Sequence, residues 1–215
     1  MKGKNGNKVV RGRPREFDEG RALEKAMMVF WKRGYEGASL GELTKAMGIN
    51  RPSMYAVFGN KEELFRRALD RYEEKAGECM AMAGVTAREF VEGLLMRAAT
   101  GVPGGPGGCL LVQGALVCGE EGEPIRKELA KRRAGMEGVL RKRLEKAVEE
   151  GELANGTEVG ALARYFAAVL NGMAVQSAGG VRGAELRGVV GVAMRGWPEE
   201  TRNSKLEIRN SRGDA

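Results

Sequence analysis

A chain of 215 residues with 36 basic and 29 acidic side chains carries a formal charge of +7. It has no histidine, and its three cysteines, at 79, 109 and 118, lack metal-ligand spacing. The expectation is therefore no zinc site, no histidine general base and no cofactor. No apolar run reaches the roughly eighteen residues of a membrane span and no signal-peptide pattern is present, so a soluble, cytoplasmic protein without membrane contact is expected.

In residues 1–15, Lys2, Lys4, Lys8, Arg11, Arg13 and Arg15 occur without an acid, so this segment holds six of the seven excess charges. Gly, Asn, Lys and Arg bury no core, and disorder is expected there. The segment is either a solubilising end or an arm that neutralises phosphates and follows the minor groove. The position of Arg13 and Arg15 just ahead of the next domain favours the arm.

Asp18 is placed to cap a helix whose Leu23, Ala26, Met27, Phe30 and Gly34 share one face. Ser39-x-x-Glu42 is a capping box, so a short helix begins at Leu40, with Leu40, Leu43 and Met47 on one side. Gly48 supplies the positive φ that ends it. Asn50 then caps a helix over residues 51–58 with Pro52 in its first turn and Met54 and Phe58 inward. Gly59-Asn60 breaks that helix. Lys61 opens a longer one to about Ala83, with Leu64, Phe65, Ala68, Leu69 and Tyr72 at helical spacing. Helix, glycine turn and helix in this order fit a helix-turn-helix, whose second helix reads the major groove while the first crosses the backbone. They fit equally a plain pair of amphipathic helices of the kind many all-α proteins contain.

Residues 11–73 resemble the N-terminal domain of the tetracycline-repressor (TetR) family of bacterial regulators. The likeness lies in the Gly34-Tyr-Glu-Gly-Ala-Ser-Leu40 stretch, in Met54-Tyr55-x-x-Phe58, and in Asn60-Lys-Glu-Glu-Leu-Phe65. The resemblance implies that Arg51 and Ser53 touch bases, that Tyr55 and Lys61 hold phosphates, and that Ser39 meets the backbone. Each has suitable chemistry, since arginine is bidentate to guanine and a hydroxyl either donates or accepts. Pro52 shares the helix start. Ala56 and Val57 stand where the family often has an aromatic residue and a histidine, so apolar contacts such as one to a thymine methyl are expected there.

Further on, Thr86-x-x-Glu89 starts a helix with Phe90, Leu94, Leu95 and Ala98 inward. Gly101–Gly108 lacks the strand and Gly-Lys-Ser/Thr ending of a phosphate loop and reads as a hinge. It leads to an apolar, buried helix over 109–118. Residues 123–150 form a long helix with Ile125, Leu129, Met136, Leu140, Leu144 and Val148 near one face and charges that are mostly a solvated face. Two apolar helices follow, Thr157 to about Gln176 and Ala184 to Trp197. Residues 199–215 form a polar tail.

The expected fold is all-α, of about nine helices. It divides into a basic arm (1–15), a helix-turn-helix domain (16–62), a helical effector-binding and dimerisation domain (63–198) and the tail. The resemblance implies a homodimer through the last two helices, with Leu162, Phe166, Leu170, Leu186, Val189, Val190, Ala193, Met194 and Trp197 as interface candidates. A twofold dimer suits a pseudo-palindromic double-stranded operator. A small-molecule effector is expected among residues 86–175, against apolar Phe90, Leu94, Leu111, Met136, Phe166 and Met173 and polar Gln113 and Asn171. The plainer alternative makes the apolar ones core. Cys109 is either a redox or electrophile sensor or a small buried hydrophobe. The expected function is a transcriptional repressor relieved by an effector; an activator of the same fold and an all-α enzyme are alternatives, and no catalytic constellation supports the last.

Overall fold

The computed structural model describes residues 17–78, 85–101, 105–114 and 122–198, and these form helices with no strand among them. In chain order they are α1 (Glu19–Gly37), α2 (Leu40–Met47), α3 (Arg51–Phe58), α4 (Lys61–Glu78), α5 (Ala87–Thr100), α6 (Leu110–Gln113), α7 (Glu123–Glu149), α8 (Val159–Ala178) and α9 (Gly183–Arg195). The basic arm with Arg13 and Arg15, Cys79, Cys118, the expected end of α4 at Ala83 and the 199–215 tail lie outside the described residues. So does the second half of the apolar helix expected over 109–118.

Local chemistry sets the ends of the first helices. The Asp18 carboxylate accepts from the Arg21 amide at 3.0 Å. Ser39 Oγ accepts from the Glu42 amide at 3.1 Å while Glu42 Oε2 accepts from the Ser39 amide at 3.2 Å. Asn50 Oδ1 accepts from the Ser53 amide at 2.8 Å. Each bond satisfies a helix-start N–H that has no partner in its own helix. Gly48 closes α2 in the left-handed region, φ 73° and ψ 29°.

Gly34 departs from the expected helical face. It takes φ 71° and ψ 178° inside α1, a conformation essentially confined to glycine. The chain kinks there, and the Tyr35 ring comes to lie 5.2 Å from that of Phe65, which itself meets Phe30 edge to face at 4.8 Å.

Two apolar cores result. The first gathers Phe30, Trp31, Leu43, Met54, Phe58, Leu64, Phe65 and Leu69 with Leu110, Leu111, Ile125 and Leu129. The expected boundary at 62–63 therefore does not coincide with a break in packing, because α4, α6 and the start of α7 close the bottom of the reading head. The second core joins α5, the end of α7, α8 and α9 through Phe90, Leu95, Leu140, Leu144, Phe166, Met173, Val190 and Trp197.

Candidate nucleic-acid interface and effector cavity

On α3, Met54 and Phe58 are 0% and 2% exposed, which turns the opposite side outward. Arg51, Pro52, Tyr55 and Ala56 are exposed there, with Ser53 and Val57 half-buried at its margins. The helix thus presents one cation, two hydroxyls and an apolar centre on a surface free to enter a groove. Arg67 of α4 holds it in place. Its Nη1 donates to the Val57 carbonyl at 2.8 Å, satisfying an acceptor at the C-terminal end of α3, and its guanidinium lies 4.6 Å from the centroid of the Phe58 ring. Sequence reading missed Arg67, because nothing local to residue 67 marks a partner ten residues earlier.

Ser39 is committed to its cap: its hydroxyl donates to Glu42 Oε2 at 3.0 Å as well as accepting the Glu42 amide. To donate to a phosphate it must release that carboxylate. The Ser39 amide and hydroxyl hold the Glu42 carboxyl below its ordinary value. Lys61 begins α4 with Nζ 3.4 Å from the Glu36 carbonyl and 4.7 Å from the centroid of the Tyr35 ring. Burial lowers its pKa, with the Glu36 charge acting against that.

Between the two cores lies a cavity of about 500 Å³. α4 contributes Tyr72, Glu73 and Ala76; α5 contributes Leu94, Arg97 and Ala98; Gly108, Cys109, Leu111 and Val112 add to the wall. Arg132, Arg133, Met136 and Val139 come from α7, and Ala167, Leu170, Asn171 and Ala174 from α8. Gly108 is held on α8 by its amide, which donates to Ser177 Oγ at 3.1 Å.

Of the residues expected to line such a site, Leu94, Leu111, Met136 and Asn171 do so. Phe90, Phe166 and Met173 do not: they point into the second core, where Phe166 meets Trp197 at 5.8 Å between ring centroids. Gln113 also lies off the wall, its Oε1 buried without a hydrogen-bond partner among the described residues. Besides Asn171, the polar lining comes from Tyr72, Glu73, Arg97, Arg132 and Arg133, the last two on a helix expected to keep its charges in solvent.

Two arrangements tie this wall to the head. The Tyr72 hydroxyl donates to Cys109 Sγ at 3.3 Å, and burial first, then the neighbouring Cys109, pushes the phenol well above its ordinary pKa, so it stays protonated as a donor. Arg132 Nη2 pairs with Asp70 of α4 at 2.7 Å, its Nη1 with Glu73 and its Nε with Glu128 at 2.8 Å. Burial alone would lower the pKa of Arg132, and its hydrogen bonds with Asp70 and Glu128 together with the charges of Glu73 and Asp70 more than reverse that.

The expected interface residues divide differently from the expectation. Leu186, Val190, Ala193, Met194, Trp197 and Phe166 are buried within the chain, Leu162 is half-buried and Leu170 faces the cavity. Among them only Val189 is exposed. The outward faces of α8 and α9 carry Tyr165, Val175, Val189 and Val192, at 43%, 45%, 36% and 57% exposure, an unusual apolar density for solvent. Among the described residues no cluster suits a metal and no helix is long and apolar enough to cross a membrane.

Comparison with known proteins agrees with this architecture. Residues 22–68 match the bacterial regulatory proteins of the tetR family, and residues 88–178 match the tetracyclin repressor-like C-terminal domain. The HTH-type transcriptional repressor ComR of Escherichia coli (strain K12) is 32% identical over 198 residues, 89% of this chain and 94% of that protein. BdcR, another HTH-type transcriptional repressor of that strain, is 32% identical over 120 residues, 49% of this chain and 56% of its own. A solved structure of the TetR family transcriptional regulator CifR, a cysteine-substituted variant with 26-base-pair double-strand operator DNA, is similar at 42% identity. Its TM-score is 0.82, with 86% of this chain and 100% of that chain covered. The chain therefore belongs to the TetR family of bacterial transcriptional regulators.

Proposed function

We propose that this chain is a homodimeric transcriptional repressor that holds an operator through α2 and α3 and releases it when a small effector occupies the cavity. The observation that carries the reading is a recognition helix exposing Arg51, Pro52, Tyr55 and Ala56, in one chain with a cavity whose wall includes α4, the helix that packs behind it. Arg51 and Ser53 read base edges, with Ala56 and Val57 making apolar contacts; Tyr55, Lys61 and Ser39 meet phosphates, and Arg13 and Arg15 extend the contact along the groove. ComR and BdcR are named as repressors, and the CifR structure holds operator DNA, which supports the assignment.

The dimer forms through the outward apolar faces of α8 and α9, setting two recognition helices about 34 Å apart for half-sites one helical turn apart. An effector that binds better when α4 is displaced draws the population away from the DNA-competent spacing. Selection of bound duplexes from a random pool tests this. A pseudo-palindromic site with half-sites one turn apart supports the reading, and recovery of no preferred sequence contradicts it.

A second reading is favoured by the Tyr72–Cys109 bond. It makes Cys109, on the cavity wall, the target of an oxidant or electrophile whose attachment breaks that bond. Operator release that oxidant triggers in the wild type and not in Cys109→Ser supports this reading. Equal release from both proteins contradicts it.

A further inference from the structure

We propose that the cavity takes an apolar organic anion, with its acidic group held by Arg97 of α5 and Arg133 of α7. This deepens the reading of the cavity as the effector site and rests on it. Three guanidinium groups line the space, and they are not equivalent. Arg132 is matched by Asp70, Glu73 and Glu128. Glu73, the carboxylate on the wall, is thereby turned to Arg132.

Arg97 and Arg133 have no carboxylate partner among the described residues. Arg133 Nη1 donates to the Leu111 carbonyl at 2.7 Å, which satisfies one N–H and brings no opposite charge to the guanidinium. Both side chains are half-buried, on a wall that also carries the apolar Leu94, Leu111, Met136 and Leu170. A guanidinium held against apolar surface is costly unless an anion faces it, and an anion arriving there gains charge-assisted hydrogen bonds in a weakly screened site. An ammonium ligand is repelled by the same pair, and a neutral one leaves both cations as they were. The hydrocarbon walls and a volume of about 500 Å³ select a ligand with a substantial apolar body.

The test uses decanoate, 1-decanol and decylamine below their aggregation limits, with calorimetry for binding and fluorescence anisotropy for operator release. The wild type is expected to bind decanoate about tenfold or more tightly than decanol, and decylamine more weakly still. Arg97→Gln and Arg133→Gln should each lose about tenfold for decanoate while changing decanol by about twofold or less, and Arg97→Lys should retain most of the decanoate affinity. Failure of decanoate to bind, or equal binding of the three, overturns the proposal, and the wild-type protein alone decides it should a variant fail to fold. The two readings part cleanly: decanol releasing operator as well as decanoate removes the anion and keeps the effector site. Tight, Arg97-dependent decanoate binding that leaves operator affinity unchanged keeps the anion site and removes the effector reading.

Discussion

Tyr72 of α4 and Trp31 of α1 meet edge to face, with ring centroids 4.9 Å apart and planes at 84°. One ring lines the cavity and the other is 2% exposed in the core of the reading head. A ligand that shifts Tyr72 thus moves a neighbour of the head's largest side chain. Trp31 is one of two tryptophans, so Trp197→Phe leaves it as the sole indole emitter. In that variant, ligand binding should change the Trp31 emission, and Tyr72→Ala should reduce the change. An emission insensitive to a bound ligand would disconnect the two sites.

Arg132 clamps α7 to α4 through Asp70 and Glu73, with a side chain only 15% exposed. Arg132→Met should destabilise the protein by about 2 kcal/mol, between the worth of an exposed pair and the cost of breaking a buried one. Three carboxylates then face one another, so a denaturation midpoint equal to the wild type's would show that the cluster holds nothing together.

Gly34 and Gly48 both have positive φ, at 71° and 73°. A Cβ on either meets nothing within 4 Å, so strain alone decides the cost. Gly48 is in the left-handed helical well, and Gly48→Ala should cost about 1 kcal/mol. Gly34 has ψ 178°, where only glycine is comfortable, and Gly34→Ala should cost about 2–3 kcal/mol. Chemical denaturation orders the two, and the reverse order would refute the strain argument.

The outward valines predict the dimer. Val192→Glu, at a position 57% exposed in the chain, should leave the fold intact and halve the solution mass. Sedimentation with an unchanged dimer mass would place the interface elsewhere.

Stability should follow carboxylates and not histidines, of which there are none. Hydrogen bonds from Lys75 and then Arg71 hold Glu24 below its ordinary value of 4.5, and Thr86 does the same for Glu89. A carboxyl with a depressed folded pKa stabilises fully above its unfolded value, and that contribution is lost as pH falls through the folded one. Melting temperature should therefore be flat between about pH 6 and 8 and fall progressively below about 4.5. A step near neutrality would contradict this.

The reading head was legible because its signals are local. Ser39 and Glu42, Asn50 and Pro52, and the glycine at 48 act within one turn of their own position, and each boundary follows from them. The cavity was not, because helical periodicity tells an apolar face from a polar one without telling a core from a hole. Phe90 and Phe166 fill the second core, while Arg97 and Arg133, indistinguishable from solvated residues in a charged sequence, line the cavity. The same limit applies to the interface candidates: Leu186, Val190 and Met194 share the more apolar face of α9, and the chain itself buries that face.

The central claim is that α3 reads DNA, and operator affinity of Arg51→Ala and Tyr55→Ala tests it most directly, measured by anisotropy on a selected duplex with helicity checked by circular dichroism. Both side chains are exposed and neither holds the head together. The expected result is native helicity with a loss of about 1–3 kcal/mol in binding for Arg51→Ala, confined to the base it reads, and a sequence-independent loss for Tyr55→Ala. Unchanged affinity in both variants would contradict it.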